Sequence, residues 1–228
     1  MTTPGRDVAA VAALVAEPAR AAIVDALMDG HGHRAGELAA RAGVAASTAS
    51  GHLARLLDGG LVTCTQEGRE RRYRLASPAV ADAIEALARL AGPLEVHSLR
   101  SADRASALRT ARTCYDHLAG RLGVGLTDAL TERAALVPVD GSFQLTAAGE
   151  RTLAGISVDV AGARAARRSF ARACIDWTER RPHLAGALGA ALADALIARH
   201  WVERRPRDRA LRVTDAGARG LAELGVRL

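Results

Sequence analysis

Two stretches in the second half of the chain carry the same residues in the same order. Ala111-Arg112-Thr113-Cys114-Tyr115-Asp116 leads into His117-Leu118-Ala119-Gly120, Leu122-Gly123, Asp128-Ala129-Leu130 and Leu145-Thr146-Ala147-Ala148-Gly149. Ala171-Arg172-Ala173-Cys174-Ile175-Asp176 leads into His183-Leu184-Ala185-Gly186, Leu188-Gly189, Asp194-Ala195-Leu196 and Val213-Thr214-Asp215-Ala216-Gly217. The cysteines are offset by 60 residues and the histidines by 66, because the second copy inserts Trp177 to Pro182. A repeat of this length is one supersecondary unit used twice. Each copy reads as helix, helix, short hairpin, helix. Thr of Leu-Thr-x-x-Gly and Val-Thr-x-x-Gly caps the closing helix. The expectation is a helical domain over 107–228, built from two winged-helix-like repeats at about 107–157 and 167–228, with a cleft between halves.

That cleft would collect Cys114, His117, Cys174 and His183, with Tyr115, Trp177, Asp116 and Asp176 close by. Cys114 and His117 are three apart, so they are expected to share one helix face. Three readings stay open. The repeated residues are fold determinants with buried thiols; or Cys114, Tyr115, His117, Cys174, Trp177 and His183 line a small-molecule effector pocket; or the two Cys and two His form a metal or thiol-redox site, a set that suits zinc. No resident cofactor is expected, a metal ion being the disfavoured alternative. An enzyme using Cys114 and His117 as nucleophile and base is the weakest reading, since no orienting residue or cofactor motif accompanies the pair.

The first third follows a different pattern. Val8 to Val15 reads as an Ala-rich helix, and Pro18 suits the first turn of the next. Ala19 to Met28 carries an apolar stripe of Ile23, Val24, Leu27 and Met28. Gly36 to Ala42 is a short helix ended by Gly43. Ser47 to Leu57 is a second, with Leu53, Leu56 and Leu57 inward. Leu61 to Thr65 and Glu70 to Leu75 read as a hairpin around Gln66 to Arg69. Ala79 to Leu90 closes the domain, 1–92, ahead of a linker at 93–106. The class is mainly α with short β-hairpins.

The order helix, short helix, tight turn, helix, hairpin is a winged helix-turn-helix. Pro18-Ala19-Arg20, Ile23 to Leu27, Glu37-Leu38-Ala39, Ser47-Thr48-Ala49-Ser50-Gly51-His52-Leu53, Leu56, Gly60-Leu61-Val62, Gly68-Arg69 and Tyr73-Arg74-Leu75 resemble the ArsR/SmtB family of bacterial transcriptional repressors. The resemblance spans residues 8 to 92. It implies a homodimer on double-stranded DNA, with the first and last helices of the domain at the dimer interface. Ala45 and Gly51 depart from the family, which favours a capping Ser or Thr and a longer polar residue there. The family's metal sites look absent: Glu37 to Arg41 has no thiol, and Asp82, Glu85 and His97 do not complete a site.

In such a domain the second helix of the motif enters the major groove. Ser47, Thr48, Ser50, Gly51, His52 and Arg55 are the candidate DNA contacts there. Arg69, Arg71 and Arg72 are the candidates on the wing, with Arg74 beside them. Capping for Ser47, packing against the preceding helix for Ser50 and packing for His52 are the competing roles. Composition sharpens the wing reading. The chain has 228 residues and a formal charge of +6. It contains no Lys, so every basic side chain is Arg, whose planar fork suits phosphate and guanine edges. No apolar run is long enough to span a bilayer, and Met1 to Asp7 does not read as a secretory signal. These point to the cytoplasm, and with the resemblance they imply a ligand-responsive repressor; a DNA-independent interaction module is the other non-enzymatic reading. Cys64, alone on the first wing strand, is expected to be buried.

Overall fold

The computed structural model describes residues 7–92, 98–206 and 208–227. Two compact units divide between Ala83 and Ile84.

The first unit holds α1 (Val8–Val15), α2 (Pro18–Leu27), α3 (Ala35–Ala42), α4 (Ala46–Asp58), β1 (Val62–Glu67) and β2 (Glu70–Leu75); α5 (Pro78–Leu90) runs across the division. Pro18 stands in the first turn of α2, and the Glu17 carboxylate accepts from Ala19 N and Arg20 N, occupying N–H groups that lack a helical partner. Gly43 ends α3 in the left-handed region, φ 68°, with its N–H on the carbonyls of Ala39 and Ala40. Glycine takes that conformation without a Cβ clash. Ile23, Leu27, Met28, Leu38, Leu53 and Leu56 are buried, as their 3.6-residue spacing predicts. Leu57 is only half-buried. The hairpin pairs Val62 with Leu75 through Glu67 with Glu70. Tyr73 and His33 exchange both backbone hydrogen bonds, at 3.0 and 2.9 Å, which ties the wing to the segment before α3. The N-terminal expectation of a winged helix-turn-helix therefore holds, with ends shifted by a residue or two.

The second unit contains α6 (Leu99–Thr110), β3 (Arg112–Cys114), β4 (His117–Ala119), α7 (Gly120–Glu132), β5 (Leu136–Val139), β6 (Ser142–Leu145) and α8 (Ala147–Gly155). It continues with α9 (Val160–Ala165), β7 (Arg172–Ile175), β8 (Pro182–Ala185), α10 (Gly186–Ala198), β9 (Val202–Arg204), β10 (Leu211–Val213) and α11 (Asp215–Glu223). Both runs order helix, hairpin, helix, hairpin, helix. This corrects the sequence expectation: each Cys/His segment is a hairpin, not part of a helix. Residues 93–97 of the expected linker, with His97, lie outside the described residues, and α6 occupies most of the remainder. Thr146 and Thr214 cap α8 and α11, accepting from Gly149 N and Gly217 N at 3.0 Å each.

The hairpins cross between the two runs. β5, β6, β7 and β8 form one antiparallel sheet in that order, joined at Ser142 and Arg172. Reciprocally, Arg112 bridges Ala210. Thr113 N donates to the Arg209 carbonyl at 2.9 Å, and Leu211 N donates to the Ala111 carbonyl at 2.8 Å. One core, including Leu122, Leu126, Leu153, Leu188, Leu196 and Leu221, serves both runs.

Candidate functional site

On α4, the N-cap is Ala45, which offers no side-chain bond. Ser47 is therefore inside the helix and is not the cap. Ser47, Thr48, Gly51 and Arg55 are exposed. Ser50 is exposed too, and its hydroxyl donates to the Ala46 carbonyl at 3.0 Å. His52 is turned inward: its Nδ1 lies 3.5 Å from the Glu17 carboxylate, and its side chain is 16% exposed. A Cβ on Gly51 would meet nothing within 4 Å. Gly51→Ala is therefore expected to stabilise the chain by about 1 kcal/mol, the helix-propensity difference, read as a raised denaturation midpoint. If DNA affinity falls while the midpoint rises, Gly51 is there for the approach of the duplex.

On the wing, Arg69 and Arg71 are exposed. The Arg71 guanidinium lies 5.6 Å from the Tyr73 ring centroid and donates from Nε to Cys64 Sγ at 3.3 Å. Cys64 is thus half-buried and partnered by an arginine, not sealed in the core as expected. Arg72 is held back, donating to the Gly32 carbonyl at 3.2 Å and to Glu70 at 3.3 Å. Arg74 pairs with Glu67 at 3.1 Å. Glu67, Glu70 and the Gly32 carbonyl thus leave Arg72 and Arg74 largely neutralised, and among the described residues no acidic side chain pairs with Arg69 or Arg71, which carry the free positive charge of the hairpin.

In the second unit, the register pairs Cys114 with His117 across β3–β4, and Cys174 with His183 across β7–β8. Tyr115, at φ 62°, makes the tight turn that puts the first pair face to face. The four side chains converge, with one ligand-capable atom from each lying within 4.8 Å of all the others. His117 Nε2 and His183 Nε2 are 3.1 Å apart, and Cys114 Sγ and Cys174 Sγ are 4.0 Å apart. Exposure is 2%, 3%, 5% and 0% for Cys114, His117, Cys174 and His183, so they form a closed cluster and not an open cleft. Tyr115 and Trp177 stay half-buried outside it.

A carboxylate stands behind each imidazole. His117 Nδ1 is 3.2 Å from Asp116, which also pairs with Arg168. His183 Nδ1 is 3.8 Å from Asp176 and has no hydrogen-bond partner although buried. Asp176 accepts from Arg112 at 2.8 Å, from Gly120 N at 2.6 Å and from Thr178 N at 2.8 Å. Arg112 is wholly buried, its guanidinium 4.6 Å from the Trp177 ring centroid. Sequence reasoning placed Asp116 and Asp176 near the cluster but missed Arg112. The signal was present, because Arg precedes Cys by two in both copies. Burial works to raise the Asp176 carboxyl, but Arg112 and the surrounding donors outweigh it and hold it well below the usual range. Burial likewise opposes ionisation of Asp116, and hydrogen bonds from His117 and Arg168 reverse the direction.

The hydrogen bond to Asp116 favours the His117 tautomer with its proton on Nδ1. The two Nε2 atoms face each other across 3.1 Å, a contact that a proton on either nitrogen or a cation held between them can bridge. Hydrogen bonding from Cys114, then from both histidines, lowers the Cys174 thiol to about 2, and the same Cys–Cys hydrogen bond raises Cys114.

Two glycines permit this convergence. A Cβ on Gly123 would lie 2.3 Å from the Leu118 carbonyl oxygen and 3.7 Å from His183 Cβ; one on Gly189 would lie 2.5 Å from the Leu184 carbonyl oxygen and 3.3 Å from His117 Cβ. Each helix, α7 or α10, thus backs onto the histidine of the other run. Nearby, Arg209 Nη1 donates to Glu85 on α5 at 2.9 Å and to the Thr113 carbonyl, beside Cys114, at 3.1 Å.

Residues 15–65 match the family model described as a helix-turn-helix domain. The chain is 41% identical over 211 residues to YdfF of Bacillus subtilis (strain 168), an uncharacterized HTH-type transcriptional regulator, covering 92% of this chain and 93% of the relative. It is 38% identical over 92 residues to the HTH-type transcriptional regulator CmtR of Mycobacterium tuberculosis (strain ATCC 25618 / H37Rv), covering 40% of this chain and 77% of that protein. Among solved structures, the homodimeric winged helix-turn-helix DNA-binding domain of Mb0332 from Mycobacterium bovis, described as a possible ArsR-family transcriptional regulator, is 31% identical. It covers 40% of this chain and 88% of that one, with a TM-score of 0.33.

Proposed function

Because the chain belongs to the ArsR/SmtB-type winged helix-turn-helix transcriptional regulators, we propose that it is a ligand-responsive, cytoplasmic repressor that binds a near-palindromic operator as a homodimer. The observation that carries the reading is the exposed start of α4, Ser47 and Thr48, together with Arg55, and with Arg69 and Arg71 exposed on the same unit's hairpin. Ser47 and Thr48 reach base edges, Arg55 reaches phosphate, and the wing arginines reach phosphate or the minor groove.

The dimer is supported by α1. This helix is apolar along its length yet buries none of its residues within the chain, and Val8 and Val11 are 73% and 48% exposed. Release from DNA requires a ligand that binds the DNA-incompetent conformer more tightly; equal affinity for both conformers shifts nothing. We assign no catalytic role to Cys114 and His117, whose burial leaves a substrate no approach. Among the described residues no helix is long and apolar enough to cross a membrane.

The test is fluorescence anisotropy on duplexes from the region upstream of the gene, across a salt series. The wild type should bind with two chains per site. Arg69→Ala/Arg71→Ala should bind more weakly on every sequence, and the slope of log K against log salt should fall by about 1 for each phosphate that no longer meets an arginine. Unchanged affinity and slope would remove the wing from the interface.

A further inference from the structure

The geometry points to Cys114, His117, Cys174 and His183 as the four ligands of a tetrahedral site for a divalent d10 cation, zinc by chemical class. It deepens the reading above by naming the class of effector, and only the ion's role as the regulator's input rests on that reading. Metal uptake is read on the free protein, so the site stands or falls whether or not the chain binds DNA.

Four independent observations converge. The donor set is two thiols and two imidazoles, the soft and borderline ligands that zinc prefers. The spacing is already close: tetrahedral bonds of about 2.3 Å to sulfur and about 2.0 Å to nitrogen put the sulfurs about 3.8 Å apart and the nitrogens about 3.3 Å apart. The observed 4.0 and 3.1 Å need only small side-chain adjustments. Both Nε2 atoms point inward; His117 Nδ1 bonds Asp116 at 3.2 Å, the outer contact that orients a metal-bound histidine and raises its basicity, and His183 Nδ1 lies 3.8 Å from Asp176. Each of those carboxylates is itself paired, Asp116 with Arg168 and Asp176 with Arg112. Finally, the site is closed to solvent, and a divalent ion with two thiolates is neutral, so burial leaves no uncompensated charge.

The exchange balances. The ion forms two metal–sulfur and two metal–nitrogen bonds, and any proton held on a ligating sulfur or Nε2 atom leaves to solvent.

Cobalt(II) is the probe, because a four-coordinate site with thiolate ligands gives intense visible bands and a sulfur-to-cobalt charge-transfer band. Reduced, chelator-treated full-length protein should take up one Co2+ per chain with those bands, and equimolar Zn2+ should bleach them. Cys64→Ser should behave as wild type. Cys174→Ser and His183→Gln should lose the four-coordinate spectrum; if either fails to fold, the wild-type and Cys64→Ser titrations still decide. Folded wild-type protein that gives no tetrahedral spectrum overturns the site. So does a spectrum that is lost in Cys64→Ser. A Cys114–Cys174 disulfide that forms readily in protein unable to take up Co2+ overturns it in favour of a redox pair. With uptake established, Zn2+ should change the anisotropy-measured DNA affinity of the wild type and not that of Cys174→Ser. An unchanged wild-type affinity overturns the input role while the Co2+ spectrum still upholds the site.

Discussion

Arg112→Met is expected to destabilise the second unit by about 3–5 kcal/mol, the cost of leaving a buried charge without its partner. Arg112 and Asp176 are both wholly buried and 2.8 Å apart. Methionine fills much of the arginine's volume, so little of the loss would come from a cavity. The backbone and hydroxyl donors on Asp176 would remain, but no positive group would compensate the carboxylate. Denaturant unfolding followed by circular dichroism reads the change as a lowered midpoint. The double variant Arg112→Met/Asp176→Asn should recover part of the loss, since the amide carries no charge to strand. A double variant no more stable than the single would mean that the pair is held mainly by packing against Trp177.

Gly189→Ala is expected to cost about 1–3 kcal/mol by overpacking and to displace His117. The added methyl would stand 2.5 Å from the Leu184 carbonyl oxygen and 2.9 Å from its carbon, so β8 or α10 must shift. It would also stand 3.3 Å from His117 Cβ, a group that cannot retreat without leaving Asp116. The variant should therefore unfold at lower denaturant and show altered histidine ring signals by NMR. Gly155→Ala is the control: a Cβ there meets nothing within 4 Å, at the end of a helix of the same unit. If Gly189→Ala leaves the histidine signals in place, the close approach of α10 is not what sets His117.

The winged unit was legible because its signals are local. Pro18, the leucine spacing of α4, the Gly43 cap and the β-branched run before Gly68 each declare their element within a few residues. The cluster was legible only as a set of residues, Cys114, His117, Cys174 and His183, which the repeat supplied. Their geometry was misread. β3 and β4 have three residues each, too short for a two-residue period to register, and the turn between them is Tyr115-Asp116, with none of the usual glycine. The spacing of three that suggested one helix face is in fact the span of a tight hairpin. Arg112 escaped notice because a buried arginine looks like any other in a chain whose basic residues are all arginine. Its value depends on Asp176, 64 residues away, and no local pattern reports such a partner. On the wing, the sequence counted charges correctly but could not see that Glu67, Glu70 and the Gly32 carbonyl absorb Arg72 and Arg74.

The crossed hairpins of the second unit also bear on how it can be cut. A chain ending after α8 would present β6 as an open sheet edge, because its outer neighbour, β7, belongs to the later run. It would also leave the amide of Thr113 without the Arg209 carbonyl. Bare edges of this kind recruit other chains. Expression of either run alone should therefore yield aggregates or paired fragments, and limited proteolysis near residues 156–159 should give two pieces that stay together until denatured.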